Sequence, residues 1–290
     1  MEIGIGLPNA VAGTTGEQLV EFAERADRAG FSSLGTLDRI AYQNFEPIAS
    51  LAAAAAVTER IGLTTAILIA PLRVNGALLA KQAASVHRIS GGRMVLGVAA
   101  GGREDDSAVS GLDFGSRGRV FDRMLSDIRR AWTESAGDYD VGPDVSADPP
   151  PLIIGGAVQR TFERAAEHGD GWIMGGGTPD AFAEGRERME RAWSAAGREG
   201  EPRRMSIAYF ALGPNADAAA EHDLKHYYSW LGDELASAIA GSAATEEDTV
   251  RQYVAGFQEA GCDELILFPT SSDPAQVELL AEVALEHRPA

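Results

Sequence analysis

A chain of 290 residues with a formal net charge of −18 is long enough for one large α/β domain, and no linker or shift in composition divides it, so residues 1–290 read as a single domain. Its acidic residues are spread along helical stretches such as 17–28 and 181–191; this favours solubility and argues against nucleic acid or an anionic membrane as partner. The opening EIGIGL runs straight into a strand with no signal-peptide pattern, no long apolar segment occurs, and Cys262 is the sole cysteine, so a cytoplasmic protein without membrane span or intrachain disulfide is expected.

The first strand, Glu2 to Leu7, ends at Pro8-Asn9. Thr15 with Gln18 three residues on makes a capping box for a helix whose Leu19, Phe22, Ala23 and Ala26 recur at helical spacing, and Gly30 closes it. A second strand, Phe31 to Leu37, stops at Asp38-Arg39. An alanine-rich helix from Glu46 to Thr58 leads to a third strand, Ile61 to Ile69. Asn75 caps the next helix, Gly76 to Ile89. The turn Gly91-Gly92 then launches a fourth strand, Met94 to Val98, which opens into a charged, glycine-containing loop from Ala99 to Asp106. Its unbroken apolar run is that of a strand buried on both faces.

Arg117 to Ser135 patterns as an amphipathic helix with Phe121, Leu125, Ile128 and Trp132 on one side. A polar excursion from Gly137 to Pro151 reads as a surface lid or a contact between subunits. The fifth strand, Leu152 to Ile154, ends in Gly155-Gly156, and the sixth, Gly171 to Met174, in Gly175-Gly176-Gly177. Each feeds a helix, the second begun by Thr178-Pro179-Asp180. Met205 to Leu212 is a seventh strand. Helical stretches at 216–240 and 245–260 precede the eighth, Asp263 to Phe268, and a last helix from Pro274. Strict alternation to eight predicts an α/β fold of the closed (β/α)8 TIM-barrel type, with insertions after strands 4 and 7.

In such a barrel the chemistry collects at the carboxyl ends of the strands. Glycines before helix N-termini at two consecutive units, Gly155-Gly156 and Gly175 to Gly177, form a phosphate signature, because bare amides and the positive helix end attract an anion. Arg160 and Arg164 either add charge to that anion or lie on the solvated surface. None of the five histidines and neither lysine falls at a strand end. His222 and His226 are four apart on a helix but lack the zincin glutamate, so no metal is expected. A glycine-floored mouth with few acid/base groups implies that a bound cofactor carries the reaction.

Read against known families, GIGLPNA, EFAERADRAGFSSL, the long run LAAAAAVTERIGLTTAILIAPLRVNGALLAKQAASVHRISGGRMVLGVAAGG, DFGSRGRVFDRML and PPLIIGGAVQRTFERAAEHGDGW resemble the bacterial-luciferase-like superfamily of flavin- or deazaflavin-dependent oxidoreductases. The resemblance implies that Ala66-Ile67 is a cis non-prolyl bond backing the flavin ring. It further implies that Ala99, Ala100 and Gly102 flank the ring edge and that Gly155, Gly156, Gly175, Gly176 and Gly177 hold the phosphate. Two departures stand out: Asp38-Arg39 replaces the family's frequent Asp-His, and Gly102 stands where the deazaflavin sugar-phosphate dehydrogenases carry a glutamate.

The resemblance implies a monooxygenase using reduced FMN and oxygen on a small organic substrate. The alternatives are a coenzyme F-420-dependent reductase or dehydrogenase transferring hydride, and a non-catalytic flavin-binding protein. The catalytic candidates are Asp38, Arg39, Arg103 and Glu104. Arg39 and Arg103 either hold an anion or form structural ion pairs, and Tyr227, Tyr228 and Trp230 either wall the substrate pocket or belong to the core. A homodimer, fed by a separate flavin or deazaflavin reductase, completes the expectation.

Overall fold

The computed structural model describes residues 1–134 and 140–285. Its strands are β1 (Glu2–Gly6), β2 (Ser33–Thr36), β3 (Gly62–Thr65), β4 (Leu68–Ile69), β5 (Met94–Ala99), β6 (Leu152–Gly155), β7 (Gly171–Met174), β8 (Arg203–Phe210) and β9 (Glu264–Pro269). All pairings between them are parallel, in the order β3-β2-β1-β9-β8-β7-β6-β5-β4, and a β3–β5 pairing closes the ring. Because β3 and β4 are two halves of one stave, the result is a closed eight-staved parallel barrel surrounded by helices, the TIM-barrel (β/α)8 fold.

The helices are α1 (Gly16–Ala29), α2 (Pro47–Val57), α3 (Gly76–Ile89), α4 (Glu104–Val109), α5 (Arg117–Thr133), α6 (Gln159–His168), α7 (Pro179–Ala195), α8 (Ala216–Tyr227), α9 (Asp233–Ala240), α10 (Glu247–Glu259) and α11 (Gln276–Ala284). Local chemistry sets their ends. Thr15 and Gln18 form the reciprocal capping box of α1, and Gly30 ends that helix at φ 90°. Asn75 and Thr178 cap α3 and α7 through their side chains. The longest connections follow the fourth stave, β5, and the seventh, β8.

Four expectations need correction. The third strand is not continuous: it breaks at a cis Ala66-Ile67 bond. The loop 99–106 includes the start of α4, whose first turn carries Glu104, Asp105 and Asp106, acids that suit a helix N-terminus. The stretch 216–240 is two helices, separated by a 3-10 turn at Ser229–Leu231 and by Gly232 at φ 83°. The described part of the polar excursion, 140–151, runs along α3 rather than over the mouth. Lys81 Nζ donates to the carbonyl of Gly142 at 3.0 Å, Arg88 Nε to that of Asp144 at 2.8 Å, and Val145 is buried as its anchor. Residues 137–139 lie outside the described set.

At the broken stave the register runs Thr64↔Val95 and then Leu68↔Val98, so β3–β4 carries one residue more than β5. That extra residue interrupts the backbone ladder. The Thr65 hydroxyl fills the gap, accepting from the Gly97 N–H at 2.8 Å and donating to the Gly97 carbonyl at 2.7 Å. A Cβ on Gly97 would overlap the Thr65 carbonyl oxygen, so only glycine lets the two strands meet here. Thr65→Val keeps the shape but leaves the Gly97 N–H unpaired in the interior, and should cost about 1–3 kcal/mol. A lower urea midpoint than that of Thr65→Ser, which keeps the hydroxyl, would show it.

The barrel interior is filled by Ala66, Val95, Ile153, Ile173, Met205, Ile207, Tyr209, Ile266 and Phe268. At its carboxyl end Leu37, Ile67, Tyr228 and Ile239 close over this plug. The last two come from the excursion between β8 and α10, which starts and finishes at one point of the wall. Ala211 N–H donates to Ala244 O at 3.1 Å, and Ala244 N–H to Tyr209 O at 2.9 Å. Among the described residues no helix is long and apolar enough to cross a membrane.

Candidate active site at the barrel mouth

Consecutive residues at a strand end point to opposite sides, and Asp38 and Arg39 diverge accordingly. The fully buried Asp38 carboxylate turns outward to both terminal nitrogens of Arg73, in the 3-10 turn Ala70–Arg73, and accepts the Ile69 N–H at 2.7 Å. Burial pushes this carboxyl up, and Asp38 in turn holds the Arg73 guanidinium above its ordinary range. Asp38 therefore fastens the segment after the cis bond.

Arg39 lies inside the mouth, 5% exposed. It pairs with Asp105, approaches Asp106 at 3.3 Å through Nε, donates to the Tyr227 carbonyl at 3.3 Å and stands 5.1 Å from the ring centre of Tyr42. Asp106 also accepts the N–H groups of Ile40 and Ala41 at 2.8 and 2.7 Å. The loop after β2 and the start of α4 are thus tied into one ionic cluster, in which Arg39 and Asp106 are buried and Asp105 is exposed.

Arg103 is different. Its guanidinium carbon lies 4.7 Å from the ring centre of Tyr227, 5.2 Å from Trp230 and 5.8 Å from Tyr228. Its buried Nε has no hydrogen-bond partner. Glu104, beside it, is exposed on the first turn of α4.

The two glycine runs also behave differently. A Cβ on Gly155 would overlap the Ile67 side chain and one on Gly156 would press on the Thr161 hydroxyl, so these glycines make room for protein atoms. Arg160 and Arg164, on the helix that follows, pair with Asp122 at 3.3 and 2.7 Å and do not reach the loop. At Gly175 and Gly176 added Cβ atoms would meet nothing. With Gly177 they border a cavity of about 400 Å³ lined by Ala208, Tyr209, Tyr228, Leu235 and Ile239, just ahead of the 17-residue helix α7. Open glycine backbone at the N-terminus of a long helix fits a phosphate-bearing flavin or deazaflavin, and the volume falls within the ordinary range for small-molecule sites. Ala66 and Ile67 lie under the mouth at the cis bond, Ala99 ends the adjoining β5 with Ala100 just beyond it, and a Cβ added to Gly102 would come to 4.0 Å from Trp230.

Sequence reasoning singled out Tyr227, Tyr228 and Trp230, and the structure gathers them around Arg103. It missed Tyr209, hidden in strand alternation, whose hydroxyl shares a 2.6 Å hydrogen bond with that of Tyr228. Burial raises both hydroxyls, Tyr209 well above its ordinary value, so both stay protonated. It also missed Asp223, a buried carboxyl on α8 that burial pushes up to about 7 while the Ala12 N–H pulls the other way. Its neighbour His226 is exposed and bonded to the Tyr42 hydroxyl at 2.9 Å. Among the described residues no cluster of three or more His, Cys, Asp or Glu has the arrangement of a metal site.

The sequence model of the luciferase-like monooxygenases matches residues 1–278. An uncharacterised protein of Mycobacterium tuberculosis is 31% identical over 176 residues, 57% of this chain and 62% of its own length, so the match spans under two thirds of that relative. The fold resembles that of an F-420-dependent secondary alcohol dehydrogenase in complex with an F-420–acetone adduct, at TM-score 0.80 and 19% identity over 99% of both chains. It also resembles the oxygenating constituent of the 3,6-diketocamphane monooxygenase of Pseudomonas putida in complex with FMN, at TM-score 0.72 and 17% identity, over 99% of this chain and 98% of that one.

Proposed function

Because the chain belongs to the luciferase-like monooxygenase family, we propose that it is a flavin-dependent oxidoreductase using reduced FMN and oxygen on a small organic substrate. The observation that carries this reading is the cavity itself. An open glycine cradle at a helix N-terminus borders tyrosine and aliphatic walls, with no histidine or lysine among the lining residues. A mouth so short of acid/base groups depends on a cofactor for its chemistry. Reduced FMN, when bound, supplies the two electrons with which one oxygen atom enters the substrate and the other leaves as water.

The chain's own residues would do the rest. The Gly175–Gly177 backbone holds the phosphate. Ala66, Ile67, Ala99, Ala100 and Gly102 leave a flat ring free to approach backbone. Tyr228 and Ile239 lie over the plug and keep water out. Of the four charged catalytic candidates, Asp38 and Arg39 are tied into ion pairs and Glu104 is exposed on α4, which leaves Arg103 to act on a ligand. A separate reductase supplying reduced FMN and a homodimeric assembly belong to the same reading.

Titrating the purified protein with FMN, riboflavin and coenzyme F-420 by fluorescence quenching tests it. FMN should bind at micromolar concentration. Gly176→Val, which fills open space at φ 108°, should weaken FMN at least tenfold while changing riboflavin little. Binding of F-420 without FMN would replace oxygen chemistry by hydride transfer, and binding of neither would refute a flavin site.

A further inference from the structure

We infer that Arg103 is the anchor for a single carboxylate on the substrate, so that this enzyme acts on a compact apolar carboxylic acid. The inference rests on the mouth being the active site. An arginine held at a folded surface normally spends its donors on carboxylates or carbonyls, as Arg39 does here on Asp105 and Tyr227. Arg103 spends none: no hydrogen bond or ion pair to its side chain occurs among the described residues, and its Nε is buried without an acceptor. Its charge is instead satisfied by the faces of Tyr227, Trp230 and Tyr228, an attraction that leaves the N–H fork unused. A planar fork with free donors matches a carboxylate in two parallel hydrogen bonds.

The nearby carboxylates are committed elsewhere. Asp105 is bonded to Arg39, Asp106 accepts from Ile40 and Ala41, and Glu104 is exposed. Two further groups complete the site. Tyr209 and Tyr228 share one hydrogen bond between their hydroxyls, so whichever accepts has its own proton left to donate. Both line the cavity, and both lie within electrostatic reach of Arg103. One guanidinium with neutral hydroxyls balances one negative charge, and Asp106 nearby opposes a second, which selects a carboxylate over a phosphate. Leu235, Ile239 and Ala208 would take an apolar body.

Phenylacetate, its neutral isostere phenylacetamide and phenyl phosphate serve as probes on the full chain with FMN present, read by isothermal titration calorimetry. Phenylacetate should bind at least tenfold tighter than phenylacetamide and tighter than phenyl phosphate. Arg103→Leu should erase the preference for the acid while FMN affinity stays within twofold. Arg103→Lys, which keeps the charge and loses the fork, should retain the preference at several-fold lower affinity and guards against a folding defect in the leucine variant. Equal binding of acid and amide, a preference that survives Arg103→Leu, or tighter binding of phenyl phosphate would each overturn the proposal. So would loss of FMN but not riboflavin affinity in Arg103→Leu, which would assign this arginine to the cofactor phosphate. FMN affinity measured on the same proteins reads the flavin site independently.

Discussion

Replacing Arg73 by leucine should destabilise the protein by about 3–5 kcal/mol, the range for stripping a buried charge of its partner. The Asp38 side chain is fully buried, and once both guanidinium bonds are gone it keeps only the Ile69 N–H. Burial already pushes the carboxyl up, and without the cation it takes a proton more readily still. A folded-state value above the unfolded one makes stability fall as pH rises, so the variant should suffer less at pH 5 than at pH 8. The double variant Arg73→Leu/Asp38→Asn removes the orphaned charge and should recover most of the loss. Urea denaturation of the three proteins at both pH values measures this. If the double variant is no better than the single one, the guanidinium matters through its packing or through Glu46, at 3.0 Å, instead.

Asp223→Asn should act in the opposite sense. The native carboxyl holds its proton up to about pH 7, whereas an unfolded aspartate releases it near 3.8. Between these values the native state binds more protons, so each rise in pH destabilises it. Above about pH 7 the loss is complete, and at about 1.4 kcal/mol per tenfold change in ionisation it amounts to roughly 4 kcal/mol. Asparagine cannot ionise and still accepts the Ala12 N–H. The variant should match the parent at pH 4 and exceed it by several degrees in Tm at pH 8. Parallel Tm profiles for the two proteins across pH 4–8 would show that Asp223 is not the group responsible.

The barrel was legible from local pattern because caps and buried strands are local devices: Thr15 with Gln18, Asn75 and Thr178 each mark a helix start within four residues. The site was legible only in outline. Asp38 and Arg39 stood out as strand-end charges, but their partners Arg73, Asp105 and Asp106 lie far along the chain, so spacing could not tell a catalytic pair from a structural one. The acids at the start of α4 were a readable helix signal, masked by the glycines before them. Asp223 sits between His222 and His226, whose spacing drew the eye to metal ligation rather than to the carboxyl between them. Gly155 and Gly175 are alike in sequence, and only the Ile67 side chain packed on the first distinguishes them.

The excursion that leaves the wall at Ala211 and returns at Ala244 has a wider consequence. Its two ends are hydrogen-bonded neighbours, so the barrel registers identically whatever lies between them, and the entropic cost of closing that loop changes slowly with its length. Tyr227, Tyr228, Trp230, Leu235 and Ile239 all ride on this one stretch. What the mouth accepts can therefore be rewritten by exchanging a single contiguous cassette, while the glycine cradle and the broken stave that would seat the cofactor are inherited unchanged from the wall.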